Sequence, residues 1–325
     1  MAKRIDILAR ETAGSRFGRN DFESEYRSTL RRHGYQFTRV IGKGGMSRVD
    51  EVREIKTGKI WAVKHLGNSL PAEKVDRFRK TLRRESEYAF DHPNVLKGKT
   101  YFEDGGNIFY MMPRMQHNLE HMLMGDDKYS LSFLLDILVQ TGAGMNYLHQ
   151  NDIIHRDLKP SNILYSRSNG EIWITICDFG LSQDKMAKLR TDISRRLLRG
   201  GRRAGTRSYS APEQLHKQGK YDKRCDIYAF GRVMDELIGQ KAECGRSFIK
   251  SFQQDRQLDS MSKKVYLYQK DRPNILEGDM RKQLPHSLMS LIMQCLQKNP
   301  KRRPSDIVQV FYELTKIQQE AAIRC

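Results

Sequence analysis

The sequence predicts an α+β fold built as two lobes, a small β-rich N-lobe followed by a larger α-helical C-lobe. Three observations predict it. A chain of 325 residues with 38% hydrophobic content buries a sizeable core. Alternating, period-two apolar patterns gather ahead of Pro113, and stripes of helical period dominate after it. A cleft between two such lobes is a usual place for a ligand.

The elements follow in order. Residues 1–34 are polar, with eight Lys or Arg against five Asp or Glu, and read as an N-terminal extension. At "YQFTRVIGKGGMSRVDEV" the alternation of Phe37, Arg39 and Ile41, then glycines, then Val49 and Val52, predicts strand, turn, strand. "KIWAVKHL" is a third strand after the Thr57-Gly58 turn. "PAEKVDRFRKTLRRESEYAF" opens on proline and spaces Val75, Phe78 and Leu82 as a helix does. "NIFYMMPRM" is one more apolar strand, stopped by Pro113. A long helix is expected over "SLSFLLDILVQTGAGMNYLHQ", where Leu131, Leu134, Leu135, Leu138, Met145 and Leu148 share a stripe behind a Ser130 cap. Short strands "NILY" and "IWITIC" flank the turn "SRSNG", and helices follow at "DIYAFGRVMDELI", "SLMSLIMQCLQ" and "DIVQVFYELTKIQQ".

Charge and cysteine usage narrow the class. The net charge of +19 attracts phosphates, acidic peptides or anionic surfaces over a Debye length of roughly 8 Å. Five scattered cysteines with no C-x-x-C pair argue against a disulfide framework or a zinc site and favour a reducing compartment. No signal core, myristoylation glycine or membrane-length apolar run is present, so a soluble, cytoplasmic protein is expected.

Three stretches carry chemistry. In "IGKGGMSRV" the bare backbone of Gly42 and Gly44 suits close approach to a polyphosphate, and the lack of a Gly-Lys-Ser/Thr ending argues against an NTPase P-loop. Taken alone, such a hairpin is an ordinary turn, and Lys64 in "AVKHL" an ordinary edge lysine. Glu85 in the charged helix is the candidate partner of Lys64, with Glu87 as the alternative register. "IIHRDLKPSNILY" is the decisive stretch, because Asp157, Lys159 and Asn162 line one loop between a helix and a strand. They bring a base, a cation and a metal-ligand amide together. "CDFG" then frees the Asp178 carboxylate beside Gly180, suited to magnesium.

With these residues in view, the sequence resembles a eukaryotic-type protein kinase over residues 35–316, with its motifs in family order. "IGKGGMSRV" resembles the glycine-rich loop, in the Gly-Gly-Met form of bacterial Ser/Thr kinases, with Ser47 where the third glycine usually stands. "AVK", "HRDLKPSN", "DFG", "GTRSYSAPE", "DIYAFGRVMDEL" and "NPKRRPS" resemble the ATP-lysine strand, catalytic loop, metal turn, activation-segment end, supporting helix and C-terminal arginine.

The resemblance implies ATP and Mg2+ as cofactors and assigns roles. Lys64 holds the α- and β-phosphates and is positioned by Glu85; Asn162 and Asp178 hold magnesium. Asp157 accepts the substrate hydroxyl proton, and Lys159 neutralises the γ-phosphate. Ile41, Gly42, Lys43, Gly44, Gly45, Met46, Ser47 and Val49 cover the nucleotide, with Met112 behind the adenine and Met115 in the hinge 113–115. The N-lobe is then 35–112, the C-lobe 116–316, and 317–325 a tail. His155 supports the loop, and Glu213 pairs with Arg303.

Residues 181–210 hold nine Lys or Arg against two Asp, which matches a basic activation loop ordered by phosphate beside Arg156. Thr191, Ser194 and Ser208 are the candidate acceptors of autophosphorylation, while Thr206 reads as structural. The Lys159 motif favours serine or threonine acceptors, and the charge favours acidic protein substrates. Alternatives are a tyrosine-phosphorylating or dual-specificity enzyme, a catalytically silent scaffold, and a nucleic-acid arm. The single Arg-Gly-Gly step without interleaved aromatics counts against the arm.

Overall fold

A computed structural model describes residues 19–43, 47–66, 72–88, 90–178, 209–215, 222–242 and 285–323. They fall into two compact units, the first comprising the chain to Ser86 plus Gly98–Arg114, the second Glu87–Lys97 and everything from Met115.

In the first unit, α1 (Arg19–Arg32) precedes β1 (Tyr35–Lys43), β2 (Ser47–Glu54), β3 (Ile60–Leu66), α2 (Ala72–Glu87), β4 (Thr100–Asp104) and β5 (Asn107–Pro113). The strands form an antiparallel sheet in the order β1-β2-β3-β5-β4. Side chains alternate across its faces. Tyr35, Val52, Trp61, Val63, Phe109 and Met111 therefore form a buried cluster with Tyr26 and Leu30 of α1. Two register irregularities in β1, the second between Val40 and Gly42, coil the strand where it approaches the glycine-rich stretch.

Two elements here were not foreseen. The charged extension contains α1, whose last turn carries Arg31 and Arg32 at the electronegative helix end. Gly34, at φ 85°, turns the chain into β1 and accepts a hydrogen bond from the Ile55 N–H. Arg32 and His33 both reach Asp104, at 3.1 and 3.0 Å, which ties α1 to β4, the other unforeseen element.

The second unit is mainly helical. It contains β6 (His117–Asn118), α3 (Leu119–Met124), α4 (Leu131–Gln150), β7 (Ile163–Ser168), β8 (Glu171–Ile176), α5 (Arg224–Lys241), α6 (His286–Cys295) and α7 (Ile307–Ile323). Ser130 caps α4 as expected, its hydroxyl accepting from the Phe133 N–H. α4 buries Leu134, Leu135, Ile137, Leu138, Met145 and Leu148 and packs on α7 and β8. Gly144 permits the approach to β8, because a Cβ there would lie 3.0 Å from Ile176 Cδ1 and 2.5 Å from the Asn94 carbonyl oxygen. β7 and β8 form the expected hairpin, turning through Asn169 and Gly170 at φ 52° and 84°. The last helix runs through the residues assigned to a tail as far as Ile323. Among the described residues, no helix is long and apolar enough to cross a membrane.

Candidate active site

The loop from His155 to Asn162 is held from beneath by one buried carboxylate. Asp226, in the first turn of α5, is fully buried and accepts from the His155 N–H and the Arg156 N–H, both at 2.7 Å, and from His149 Nε2 at 2.8 Å. Burial by itself pushes the Asp226 carboxyl up, but the hydrogen bonds and positive charge of His149, with His155 and the Arg156 backbone, hold it below the usual carboxylate range. Its two backbone bonds matter because Arg156 sits at φ 65°, a left-handed conformation that disfavours any residue with a Cβ.

The next residue, Asp157, is 9% exposed. Lys159 Nζ donates to its Oδ2 at 2.9 Å, and Asn162 Nδ2 donates to its backbone oxygen at 2.9 Å and to Oδ2 at 3.4 Å. A short 3-10 turn, Pro160–Asn162, folds Asn162 back onto the aspartate. The fixed φ of proline suits the first position of such a turn. The three predicted side chains therefore gather about one carboxylate.

His155 joins this loop to the aspartate after β8. Its Nε2 lies 3.0 Å from the Cys177 carbonyl oxygen and must donate there, which leaves Nδ1 to accept from the Asp157 N–H at 3.4 Å. The Cys177 N–H in turn donates to the Asn162 carbonyl at 3.0 Å. Asp178, itself a candidate ligand, follows at φ 66°, a second left-handed residue at the site. The amide nitrogen of Asn162 is committed to Asp157, so its oxygen is the end left to accept a cation. One amide oxygen and one carboxylate fit magnesium, which takes few protein ligands and fills its octahedron with phosphate and water oxygens. Among the described residues, no group of three or more His, Cys, Asp or Glu gathers as a self-sufficient metal site.

The residues that follow the basic segment are anchored to the same loop. Gln214 Oε1 accepts from the Ala211 N–H at 2.9 Å, while its Nε2 donates to the Arg156 carbonyl at 3.1 Å. The adjacent Glu213 is gripped by Arg303 through two bonds of 2.6 and 2.9 Å, the pair expected from the sequence. Arg303 also donates to the carbonyls of Gln297, Arg224 and Lys298 and lies over the Tyr228 ring. Tyr209 is half-buried and hydrogen-bonded to Glu236.

In the first unit, one row of residues crosses the sheet in register: Gly42, Val49, Lys64 and Tyr110. Val49, Lys64 and Met112 share a face; Lys64 and Val49 are half-buried and Met112 is 7% exposed. Gly42 sits against Val49, where a Cβ would be 3.6 Å from the valine Cβ. Ile41, Lys43 and Ser47 lie at the ends of β1 and β2, whereas Gly44, Gly45 and Met46 lie outside the described residues. Glu85 is 4% exposed on the same stripe of α2 as Phe78 and Leu82, and Glu87 is exposed. Met115, the first residue after Arg114 in the second unit, receives a hydrogen bond from Ser166 Oγ on its sulfur. Thr191, Ser194, Thr206 and Ser208 also lie outside the described residues.

Sequence reasoning missed Asp226 and Gln214. Each reads as an unremarked polar residue until the fold brings it to Arg156, from 70 and 58 positions away.

A family model described as a protein kinase domain matches residues 35–318. Calcium-dependent protein kinase 4 of Plasmodium falciparum is 32% identical over 211 residues, covering 63% of this chain and 37% of that protein. Serine/threonine-protein kinase pkn3 of Myxococcus xanthus is 26% identical over 291 residues, covering 88% of this chain and 50% of that protein. Calcium/calmodulin-dependent protein kinase type I of Schizosaccharomyces pombe is 29% identical over 206 residues, 63% of this chain and 59% of that protein. The chain thus spans less than two thirds of the length of each of these relatives.

Proposed function

The chain belongs to the protein kinase family, and on that premise we propose that it is a serine/threonine protein kinase, moving the γ-phosphoryl group of ATP to hydroxyls of protein substrates. The observation that carries this reading is the convergence of Lys159 and Asn162 on the Asp157 carboxylate, over a backbone fixed by Asp226. The naming of a relative as a serine/threonine kinase supports the acceptor class.

In the reaction, a substrate hydroxyl gives its proton to Asp157 as its oxygen bonds to the γ-phosphorus and the bond to the β-phosphate oxygen breaks, releasing ADP. Lys159, already 2.9 Å from Asp157 Oδ2, offers its charge to the transferred phosphoryl oxygens. Lys64, positioned by Glu85, holds the α- and β-phosphates, and the backbone of Gly42, Gly44 and Gly45 covers them. Asn162 and Asp178 would hold magnesium, which when bound would neutralise charge on the phosphates. General-base removal at Asp157 is worth about 10²–10⁴ in rate.

Regulation is part of the proposal. A phosphate placed by autophosphorylation within residues 186–208, at Thr191 or Ser194 first, pairs with Arg156 and neighbouring basic side chains and orders the segment. Its basic charge selects acidic protein substrates. Gln214 supports this reading, since it ties the residues that follow that segment to the Arg156 carbonyl.

The test is transfer of labelled γ-phosphate from Mg-ATP to a peptide array, wild type against Asp178→Ala. Labelled serine and threonine peptides in the wild type, with loss of signal in the variant, are expected. Equal signal in the two, or none in the wild type, overturns the proposal.

A further inference from the structure

The sheet of the first unit presents the proposed nucleotide residues on one face and a buried polar cluster on the other. Val49 and Lys64 stand opposite each other across β2 and β3. Alternation sends their neighbours Arg48, Asp50 and His65 to the reverse face, where α1 lies.

Arg48 directly follows Ser47, the first residue of β2. Its guanidinium, 14% exposed, donates to Glu23 of α1 at 2.9 and 3.3 Å and to Asp50 at 3.0 and 2.8 Å. His65 Nε2 lies 3.0 Å from both Arg48 Nε and Asp50 Oδ2. Tyr26, one helical turn from Glu23, stacks on His65 with centroids 4.2 Å apart and lies under the Arg48 guanidinium. The hydrogen bond from Arg48 holds the Glu23 carboxyl below its usual range. Glu23 also takes a bond of 3.2 Å from Arg27.

A buried charge cluster is costly once a partner is withdrawn. The cluster therefore fixes the start of β2 against α1, and with it the Val49–Lys64 register on the opposite face. We propose that Arg48 is a positioning residue for the nucleotide, held in place by Glu23, so that the N-terminal helix is a working part of the ATP-binding unit. This rests on the kinase reading above. What Arg48 positions is Val49 and the end of the glycine-rich stretch, and through β3 Lys64.

The experiment uses the full chain. Mg-ATP dissociation constants by calorimetry, and KM and kcat on an array-derived peptide, are measured at a temperature where every variant is folded. Glu23→Gln is isosteric, and Arg48→Lys keeps the charge without the fork. Both are expected to raise the dissociation constant and KM for ATP about three- to tenfold, with kcat within about twofold. Glu23→Asp recovers part of the loss. Arg32→Gln, which loosens a separate attachment of α1 at Asp104, leaves ATP affinity within about twofold.

A merely structural role lowers the melting temperature of Glu23→Gln and Arg48→Lys while leaving KM and the dissociation constant at wild-type values. That result overturns the inference and leaves the kinase reading standing, because the wild type still binds Mg-ATP. Wild-type protein that binds no Mg-ATP removes both.

Discussion

Replacing Asp226 with asparagine removes the charge beneath the candidate catalytic loop while keeping its size. Asp226 Oδ1 accepts from the Arg156 N–H, and Oδ2 from the His155 N–H and His149 Nε2. An asparagine keeps one oxygen, so in either orientation one backbone N–H faces an NH₂ group and loses its bond. Bonds to a buried ionised group are worth about 1.5–3 kcal/mol each. Breaking a buried charged cluster costs about 3–5 kcal/mol. Against a total stability of about 5–15 kcal/mol, the second unit should melt roughly 10 °C lower. Trp173 of β8 is 52% exposed and reports on this unit, and Trp61→Phe silences the other tryptophan of the chain. Thermal melts followed by Trp173 fluorescence, with phosphoryl transfer measured at 15 °C, check the expectation. Transfer falls further than the folded fraction, because Arg156 at φ 65° is no longer held beside Asp157. A shift under about 2 °C with normal transfer refutes the reasoning.

Substitutions at three positions test packing in the second unit. Arg303→Ala strips Glu213 of a bidentate partner and removes a donor from three carbonyls, which should cost about 3–5 kcal/mol in urea titrations, with Arg303→Lys restoring less than half. Gly144→Ala forces a methyl toward the Asn94 carbonyl, 2.5 Å from its Cβ, and should cost about 1–3 kcal/mol. Gly125→Ala, whose nearest neighbour is 3.7 Å away, should stay within about 0.5 kcal/mol by the same measurement.

The parts of the fold that the sequence made legible are those whose patterns are local. β1 and β2 alternate, β3 and β5 are short apolar runs bounded by the Thr57-Gly58 turn and by Pro113, α4 carries a full apolar stripe with its serine cap, and the "SRSNG" turn shows its own backbone chemistry. The 157–162 loop was legible because its three functional residues sit within six positions. α1 was not, since Tyr26 and Leu30 are isolated in a charged segment and become a core only with Trp61, Val63 and Phe109 beside them. β4 is five residues long and half-buried at a sheet edge, too short to show a period. Asp226 and Arg48 depend on partners from distant segments or the opposite side of a strand, a relation no window along the chain displays.

The most direct measurement is single-turnover transfer of phosphate from Mg-ATP to an acceptor peptide, comparing wild type with Asp157→Asn at equal nucleotide occupancy. If Asp157 accepts the hydroxyl proton, the rate falls by about 10²–10⁴ while nucleotide affinity holds, and the label appears on serine or threonine. An unchanged rate in Asp157→Asn contradicts the assignment of this loop as the site of phosphoryl transfer.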